Sequence, residues 1–322
     1  MAAIFASVDL GGTNIKCALA GADGVILRAQ SEPTESHLGA PAVLERIANL
    51  VGRLCKETPA RPAALGMAVP GLVDLKAGVT KFLPNFPTHW RDVPAREILS
   101  RKLGYPVYLL NDVRAATLGE LTFGHGRTAR TFAFFAVGTG IGGGVVIDGK
   151  LRLGPLGAAG ELGHQTILAD GPLCGCGNRG CLETLASGPA LQAEGVRLLK
   201  SGLAPKLHEL VSGDPSRVTT KEMTAAAQAG DEYVRDAILR AARYLGIGVA
   251  NTVVVLHPDL IVIGGGVAQI GDLLFDAVRE TVRRRVGMFP TDGIEIKPSL
   301  LGEEAGVLGG IALAMKGGLW EN

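Results

Sequence analysis

The chain has 322 residues, of which 47% are hydrophobic and 20% charged, with a formal net charge of +1. This composition excludes a disordered chain, and the balance of charge excludes a surface that attracts nucleic acid or anionic membranes as a whole. The 46 glycines are about twice the usual share but lack the period of collagen. They must therefore serve local backbone geometry, and their positions guide the search for function.

Cysteine use and the first residues of the chain indicate a cytoplasmic protein that does not associate with membranes. The first ten residues have no basic region, and Asp9 interrupts their apolar run, so they do not resemble a signal peptide. No stretch reaches the ~18 uninterrupted apolar residues of a membrane span. The five cysteines are an odd number, which argues against a secreted disulfide framework.

The first part of the chain predicts a meander of three short strands, followed by helices and strands in alternation. Glycine turns separate the three strands, and apolar residues at helical spacing mark the first helix. The predicted strands are 4–8, 15–20, 25–28, 64–69 and 106–110, and the predicted helices are 41–56, 97–103 and 112–121.

The same unit of strand, threonine-bearing glycine turn, strand, glycine turn and strand begins again at residue 131. Its strands are predicted at 131–137, 145–147 and 151–153, with a turn over 138–144. Beyond it the chain is mainly helical, with a buried-type strand at 260–263 and helices at 188–200, 231–255 and 305–315. We expect an α/β protein with two lobes, 1–117 and 118–322, in which a helix near 305–322 packs back onto the first lobe.

Two glycine turns at matching places of the repeated unit are suited to binding phosphate. Backbone without Cβ atoms lets several N–H groups approach one phosphate, and a threonine hydroxyl adds a donor. A single glycine turn is usually only a hairpin, but two equivalent turns favour a nucleotide site. The second turn offers Thr139 and Gly140. The first offers Gly11, Gly12, Thr13 and Asn14, with Lys16 nearby and Asp9 positioned for Mg²⁺ or its waters.

Other nucleotide motifs are excluded by their context. The run 138–143 resembles a dinucleotide fingerprint, but a strand and hairpin follow it where that motif requires a helix. The chain contains no P-loop pattern. Gly264, Gly265 and Gly266 lie between a predicted strand and a predicted helix, where a nucleotide base or ribose can approach the backbone.

One histidine and three cysteines within eighteen positions predict a tetrahedral zinc site, formed by His164, Cys174, Cys176 and Cys181. Four protein ligands leave no position for a reacting water, so the metal would be structural. Glu161 and Glu183 lie next to this cluster in sequence. The second nitrogen of His164 and these carboxylates together offer donors and acceptors that a polyhydroxylated sugar requires.

Asn111 and Asp112 stand between a predicted strand and a predicted helix. Asn and Asp are favoured at such positions as helix caps, and this is the simpler interpretation. The functional alternative is that Asp112 accepts a proton from a substrate hydroxyl. Because the proton moves late in phosphoryl transfer, positioning matters more than basicity for such a base.

These segments together resemble the ROK sugar kinases of the actin- and hexokinase-like superfamily. They follow the family's order along nearly the whole chain, at 9–16, 69–71, 111–112, 138–144, 161–164, 174–183 and 263–266. The resemblance implies a two-lobed ribonuclease H-like fold with a duplicated mixed sheet and an interlobe cleft. It also implies phosphorylation of a sugar hydroxyl by ATP and Mg²⁺, with structural Zn²⁺ bound by the His164 cluster.

The resemblance assigns roles residue by residue. Asp112 corresponds to the general base, and Asp9 lies on the Mg²⁺ side. The nucleotide side comprises the two glycine turns and the 264–266 triplet. The sugar would contact Gly71, Asn85, Asn111, Asp112, Glu161, His164 and Glu183, although the 85–90 segment matches the family only loosely.

We expect a hexokinase with glucose as its sugar, although the shared sugar-binding set leaves alternatives open. These are kinases of N-acetylmannosamine, N-acetylglucosamine or fructose, since one hydroxyl distinguishes sugar epimers. The family also contains sugar-responsive repressors, but the first strand begins at Ile4 and leaves no room for a helix-turn-helix domain before it. A non-catalytic sugar-binding protein would need Asp112 to be missing. The family further implies a homodimer, and we expect no nucleic-acid partner.

Overall fold

The computed structural model describes residues 3–58, 61–84 and 86–318. The chain divides into two compact units. The described residues of Met1–Thr128, Gly149–Ala159 and Leu300–Asn322 form the first, and those of Ala129–Asp148 and Gly160–Ser299 form the second.

The strands along the described chain are short. They are β1 (Ile4–Leu10), β2 (Asn14–Gly21), β3 (Ile26–Pro33), β4 (Leu65–Val69), β5 (Leu72–Asp74), β6 (Val79–Phe82), β7 (Val107–Asn111), β8 (Phe132–Val137), β9 (Ile141–Ile147), β10 (Lys150–Arg152), β11 (Leu260–Gly264) and β12 (Glu295–Pro298).

The α-helices range from one turn to seven turns in length. They are α1 (Gly39–Lys56), α2 (Ala95–Leu103), α3 (Asp112–Phe123), α4 (Glu183–Ala186), α5 (Gly188–Lys200), α6 (Pro205–Val211), α7 (Thr220–Gln228), α8 (Glu232–Leu256), α9 (Asp272–Arg285) and α10 (Ala305–Lys316).

The first unit is built on a mixed sheet with the order β3-β2-β1-β4-β7. β1 is antiparallel to β2 but parallel to β4, and β4 is parallel to β7. Because parallel strands end at the same edge of a sheet, the register brings Asp9 beside Ala68 and Val69 beside Asn111. The sheet therefore places Asp9 and Asn111 at the same edge.

The second unit repeats the arrangement. β8 is antiparallel to β9 and parallel to β11, which is parallel to β12. Gly264 at the end of β11 pairs with Ala136 near the end of β8. The sheet thus places the 264–266 glycines next to the turn that connects β8 and β9.

The turn predicted over 138–144 is shorter than expected, because β9 already begins at Ile141. Gly142, Gly143 and Gly144 pair with β8 as strand residues. A Cβ atom at Gly143 would lie 2.5 Å from the Leu162 side chain and 2.7 Å from the Gly160 carbonyl oxygen. These glycines allow the 160–164 segment to pack closely against β9. Such a contact cannot be predicted from the local sequence pattern.

The C-terminal helix α10 packs on α3 and on β1 and β4 within the first unit. The contact is made through glycines on both sides. A Cβ atom at Gly309 would lie 1.8 Å from the Ala115 carbonyl oxygen, and one at Gly66 would lie 1.9 Å from the Gly310 carbonyl oxygen. The two helices and the sheet therefore meet at the distance of backbone contact.

One helix among the described residues, α8, is long and apolar enough to cross a membrane by length and composition alone. Slightly more than half of its most apolar stretch is buried inside the protein, at 56%. It packs against α5, α7 and α9 of the same unit, and this packing accounts for its apolar composition.

Candidate functional site

The first glycine turn is a tight hairpin between β1 and β2. The Gly11 N–H donates to the Asn14 carbonyl oxygen at 2.9 Å. Thr34, which directly follows β3 and is fully buried, holds the turn in place. Its hydroxyl donates to the Gly11 carbonyl oxygen at 2.7 Å, and its N–H donates to the Thr13 carbonyl oxygen at 2.8 Å. Gly12 is partly exposed and Thr13 is exposed, so the face of the turn remains open to a ligand.

Asp9 lies at the end of β1, directly opposite Lys16 on β2. Burial raises the pKa of the Asp9 carboxyl, and the positive charge of Lys16 opposes this shift. A Cβ atom at Gly306, in the first turn of α10, would lie 2.5 Å from Asp9 Oδ2. A larger residue at that position would therefore require the Asp9 carboxylate to move.

Asn111 caps helix α3, as its position in the sequence predicts. Its Oδ1 accepts hydrogen bonds from the N–H groups of Val113 and Arg114 at 3.1 and 3.2 Å. Its Nδ2 donates to the Gly71 carbonyl oxygen at 3.1 Å. Gly71 has a φ of 100°, and a Cβ atom there would lie 2.2 Å from the Phe82 carbonyl oxygen, so the position requires glycine.

Asp112 follows as the first residue of α3 and is partly exposed. Desolvation of its carboxyl and the nearby negative charge of Asp9 raise the pKa of Asp112 to about 6. The Val113 N–H, which donates to Asp112 Oδ1 at 2.8 Å, acts against this shift. A carboxylate with such a pKa is ionised at neutral pH and is a stronger base than an ordinary aspartate.

Arg114 supports this pair of residues, and no local sequence pattern predicts this role. Its side chain is only 2% exposed. The guanidinium donates to Asn111 Oδ1 at 3.1 Å and to the carbonyl oxygens of Ala158 and Ala159 at 3.0 and 3.1 Å. It therefore ties the start of α3 to the segment after β10. Asn85, which the sequence analysis placed with the sugar, lies outside the described residues.

In the second unit the four predicted metal ligands lie together. The ligand atoms of His164, Cys174, Cys176 and Cys181 are all within 4.8 Å of one another. Cys174 Sγ is 3.6 Å from His164 Nδ1, and the sulfurs of Cys176 and Cys181 are 3.7 Å apart. Ligands at zinc distances around a tetrahedral ion are separated by roughly 3.3–3.8 Å, so the donor set and its spacing suit zinc.

The two ring nitrogens of His164 face different groups. Nδ1 faces the sulfur cluster, whereas Nε2 lies 4.0 Å from Glu161 Oε2. Glu183 also lies near the cluster, with its Oε1 3.9 Å from Cys174 Sγ. Two carboxylates therefore lie near the metal cluster: Glu161 is exposed and Glu183 is partly buried.

The second glycine turn closes through the Gly138 N–H, which donates to the Gly140 carbonyl oxygen at 2.9 Å. Thr139 at its tip is exposed. A Cβ atom at Gly265 would lie 2.4 Å from the Val137 carbonyl oxygen, so the 264–266 glycines touch the strand that leads into this turn. The described part of each unit therefore presents one glycine turn at the edge of its sheet.

Comparison with known proteins identifies the family. The ROK family is matched over residues 5–317. The chain belongs to the ROK family. Its relatives in that family include a glucokinase of Thermotoga maritima, which is 36% identical over 95% of each chain. They also include a xylose repressor of Caldicellulosiruptor bescii, which is 32% identical over 96% of this chain and 77% of the repressor.

A solved structure from the same family has the same fold. A ROK glucokinase from Streptomyces griseus, crystallised with glucose and AMPPNP, has a TM-score of 0.85 and 32% identity over 97% of this chain and 99% of the other. The sequence-based expectations of ROK membership and of an α/β fold with mixed sheets of this type are therefore confirmed.

Proposed function

We propose that this ROK protein is an ATP-dependent glucokinase that transfers the γ-phosphoryl group of ATP to the 6-hydroxyl of glucose. The observation that carries the proposal is the position of Asp112, which follows the end of β7 at the sheet edge that also carries Asp9, with the pKa of its carboxyl raised to about 6. The glucokinases of Thermotoga maritima and Streptomyces griseus support the choice of reaction and of sugar.

In this proposal Asp112 accepts the proton of the attacking hydroxyl. Phosphoryl transfer has a loose transition state, so the main work of the carboxylate is to orient the oxygen and to take the proton late in the reaction. Its pKa of about 6 keeps it ionised at neutral pH, yet makes it a better acceptor than an aspartate in water. Asp9 would hold Mg²⁺, directly or through waters, and the ion would offset charge on the phosphates.

The two glycine turns would bind the nucleotide through their N–H groups. In the first turn we assign this role to Gly11, Gly12, Thr13 and Asn14, with Lys16 adding positive charge. In the second unit we assign it to Thr139, Gly140, Gly264, Gly265 and Gly266. Exposed threonines at the tips of both turns support the assignment, since a hydroxyl there is free to donate to phosphate oxygens.

We propose that the sugar is bound by the carboxylates and the imidazole around the metal cluster, together with residues at the edge of the first sheet. The set is Gly71, Asn85, Asn111, Asp112, Glu161, His164 and Glu183. Because four protein ligands would surround the zinc, the ion would be structural. It would hold the His164 ring in place, with Nε2 facing Glu161 and not the cluster. We further propose a cytoplasmic homodimer that binds neither nucleic acid nor membranes.

A second candidate is a sugar-responsive regulator, which the similarity to the xylose repressor favours. The two candidates make opposite predictions about turnover. A regulator binds sugar without consuming ATP, whereas a kinase releases one ADP for each sugar phosphorylated.

An assay of ADP release tests the proposal with glucose, fructose, mannose, N-acetylglucosamine and N-acetylmannosamine. We expect the highest kcat/KM with glucose, and we expect Asp112→Ala to lower turnover by roughly 10²–10⁴-fold while it leaves glucose binding nearly intact. Preference for another sugar would reassign the substrate within the family. Sugar binding without ADP release by the wild-type protein would favour the regulator.

A further inference from the structure

The second glycine turn is held at both ends by the segment that follows the metal cluster. The Gly188 N–H donates to the Gly138 carbonyl oxygen at 2.8 Å, at the start of the turn. The Ile141 N–H, at its end, donates to Glu183 Oε2 at 2.9 Å. One short stretch of chain therefore holds both ends of this turn.

That stretch begins at a metal ligand. The Cys181 carbonyl oxygen accepts from the N–H and the hydroxyl of Thr184 at 3.0 and 2.7 Å, so Cys181 starts the turn of helix that carries Glu183. The Leu182 N–H donates to the Gln165 carbonyl oxygen at 2.9 Å, which joins the same stretch to the residue after His164. Fixing the sulfur of Cys181 therefore fixes the backbone of Glu183.

The glycines around this link leave no free space. A Cβ atom at Gly140 would lie 2.4 Å from Glu183 Oε2. On the other side of the turn, a Cβ atom at Gly163 would lie 1.8 Å from the Ile141 carbonyl oxygen. Since the 162–164 segment touches the backbone of Ile141 and the Glu183 carboxylate lies against Gly140, we expect a shift in the metal loop to be transmitted to the turn.

We propose that Glu183 is a positioning residue for the nucleotide: its carboxylate carries the geometry of the metal loop to the second glycine turn. Oε2 accepts the hydrogen bond that orients the Ile141 end of the turn, and Oε1 faces the cluster beside Cys174. The identity of the ligand as a nucleotide rests on the proposed kinase function, but the link between loop and turn does not. Glu183 thus gains a role beyond the contact with sugar assigned to it above.

The test compares Glu183→Ala with Glu183→Gln in metal-loaded protein. We measure hydrogen exchange at the Ile141 amide and the Kd for ADP in the absence of sugar. In Glu183→Ala the amide loses its acceptor, so we expect it to exchange at least about tenfold faster and ADP to bind about tenfold more weakly. Glutamine keeps an acceptor oxygen, so Glu183→Gln should restore both values to within about threefold of the wild type.

Two controls separate the link from general loss of structure. Glu209→Ala removes an exposed carboxylate on α6 of the same unit and should change neither value. Removing the metal from the wild-type protein with a chelator should speed exchange at Ile141 while the amides of α8 stay protected. The exchange measurement on metal-free wild-type protein also tests the link between the metal loop and the turn if Glu183→Ala does not fold.

Unchanged exchange at Ile141 in Glu183→Ala, or in the metal-free wild type, would overturn the proposal. Equal defects in Glu183→Ala and Glu183→Gln would also overturn it, since they would point to the charge and not to the hydrogen bond. If wild-type protein binds no ADP, the proposed kinase function fails, and the exchange measurement still tests the link.

Discussion

Burial and the negative charge of Asp9 raise the pKa of Asp112 to about 6, and this shift affects catalysis and stability in opposite ways. The folded protein binds the proton more tightly than the unfolded chain, in which an aspartate has a pKa of about 3.9. The free energy of unfolding therefore falls as pH rises from about 4 to about 6, and it stays lowered at neutral pH. The ionised carboxylate that would serve as base is thus a source of instability.

Asp112→Asn removes this charge with little change in shape. We expect turnover to be lost and the free energy of unfolding at pH 7.5 to increase by about 3 kcal/mol, since the pKa is raised by about two units and each unit corresponds to about 1.4 kcal/mol. The melting temperature should rise by a few degrees. Calorimetry at pH 7.5, 6, 5 and 4 checks the sign: the gain must shrink as pH falls through 6, where the wild-type carboxyl becomes protonated. A variant that melts lower than wild type at pH 7.5 would contradict the shift.

The sequence predicted some site residues and missed others for a physical reason. Asn111 was recognisable as a cap because a cap acts on the N–H groups two and three residues ahead. Thr34 and Arg114 were not, because their partners lie 23 and 45 positions away. Local pattern carries no information about such contacts, and only the folded chain brings them together.

At the scale of elements, the contact between α3 and α10 depends on glycine. Gly119 and Gly309 face each other, and a Cβ atom at Gly309 would lie 1.8 Å from the Ala115 carbonyl oxygen. Backbone cannot move aside as a flexible side chain can, so any larger residue must separate the helices. The same helix begins beside Asp9, which makes this packing important for the site.

Gly309→Ala should lower the free energy of unfolding by about 3 kcal/mol or more, because the helices must separate to admit the methyl group. Gly52→Ala is the matched control, since Gly52 lies inside α1 with nothing within 4 Å of a Cβ atom. That substitution should stabilise the protein by about 0.5–1 kcal/mol through its higher helix propensity. Urea unfolding of the two variants checks both signs, and equal effects would show that helix propensity outweighs the contact.

Elements with strong periodicity were predictable, and those defined by tertiary contact were not. Helix α5 was predicted with its observed bounds, and α8 to within a residue at each end, because their apolar residues recur at helical spacing. The start of β9 was wrong because three glycines in a row resemble a turn. These glycines occur in a strand because the 160–164 segment, which follows β10 in the chain, packs closely against them.

At the scale of the whole molecule, the repeated strand and glycine pattern correctly predicted two related sheets. The repeated pattern did not predict the order of the parallel strands in each sheet, because parallel pairing joins segments far apart in sequence. These strands are β4 and β7 in the first sheet and β11 and β12 in the second. The sequence also left out the β5–β6 hairpin and the helices α6 and α7, whose short lengths give weak periodicity.

The formal net charge of +1 leads us to expect no electrostatic binding to duplex DNA. Fluorescence anisotropy with a labelled duplex at 50 and 200 mM salt checks this. We expect a Kd weaker than about 10⁻⁴ M at both concentrations, because few phosphates would be neutralised. A Kd that tightens steeply as salt is lowered would contradict the expectation and would favour the regulator.

The position of α10 in the first unit has a consequence for biosynthesis. This helix covers β1, β4 and α3, yet the ribosome makes it after all of the second unit. The unit whose synthesis begins first is therefore completed last. Until residues 305–316 emerge, the apolar surface that they cover stays open to chaperones and proteases, whereas the residues of the second unit have all been made. A nascent chain that stalls before residue 305 would lack part of the core around Asp9.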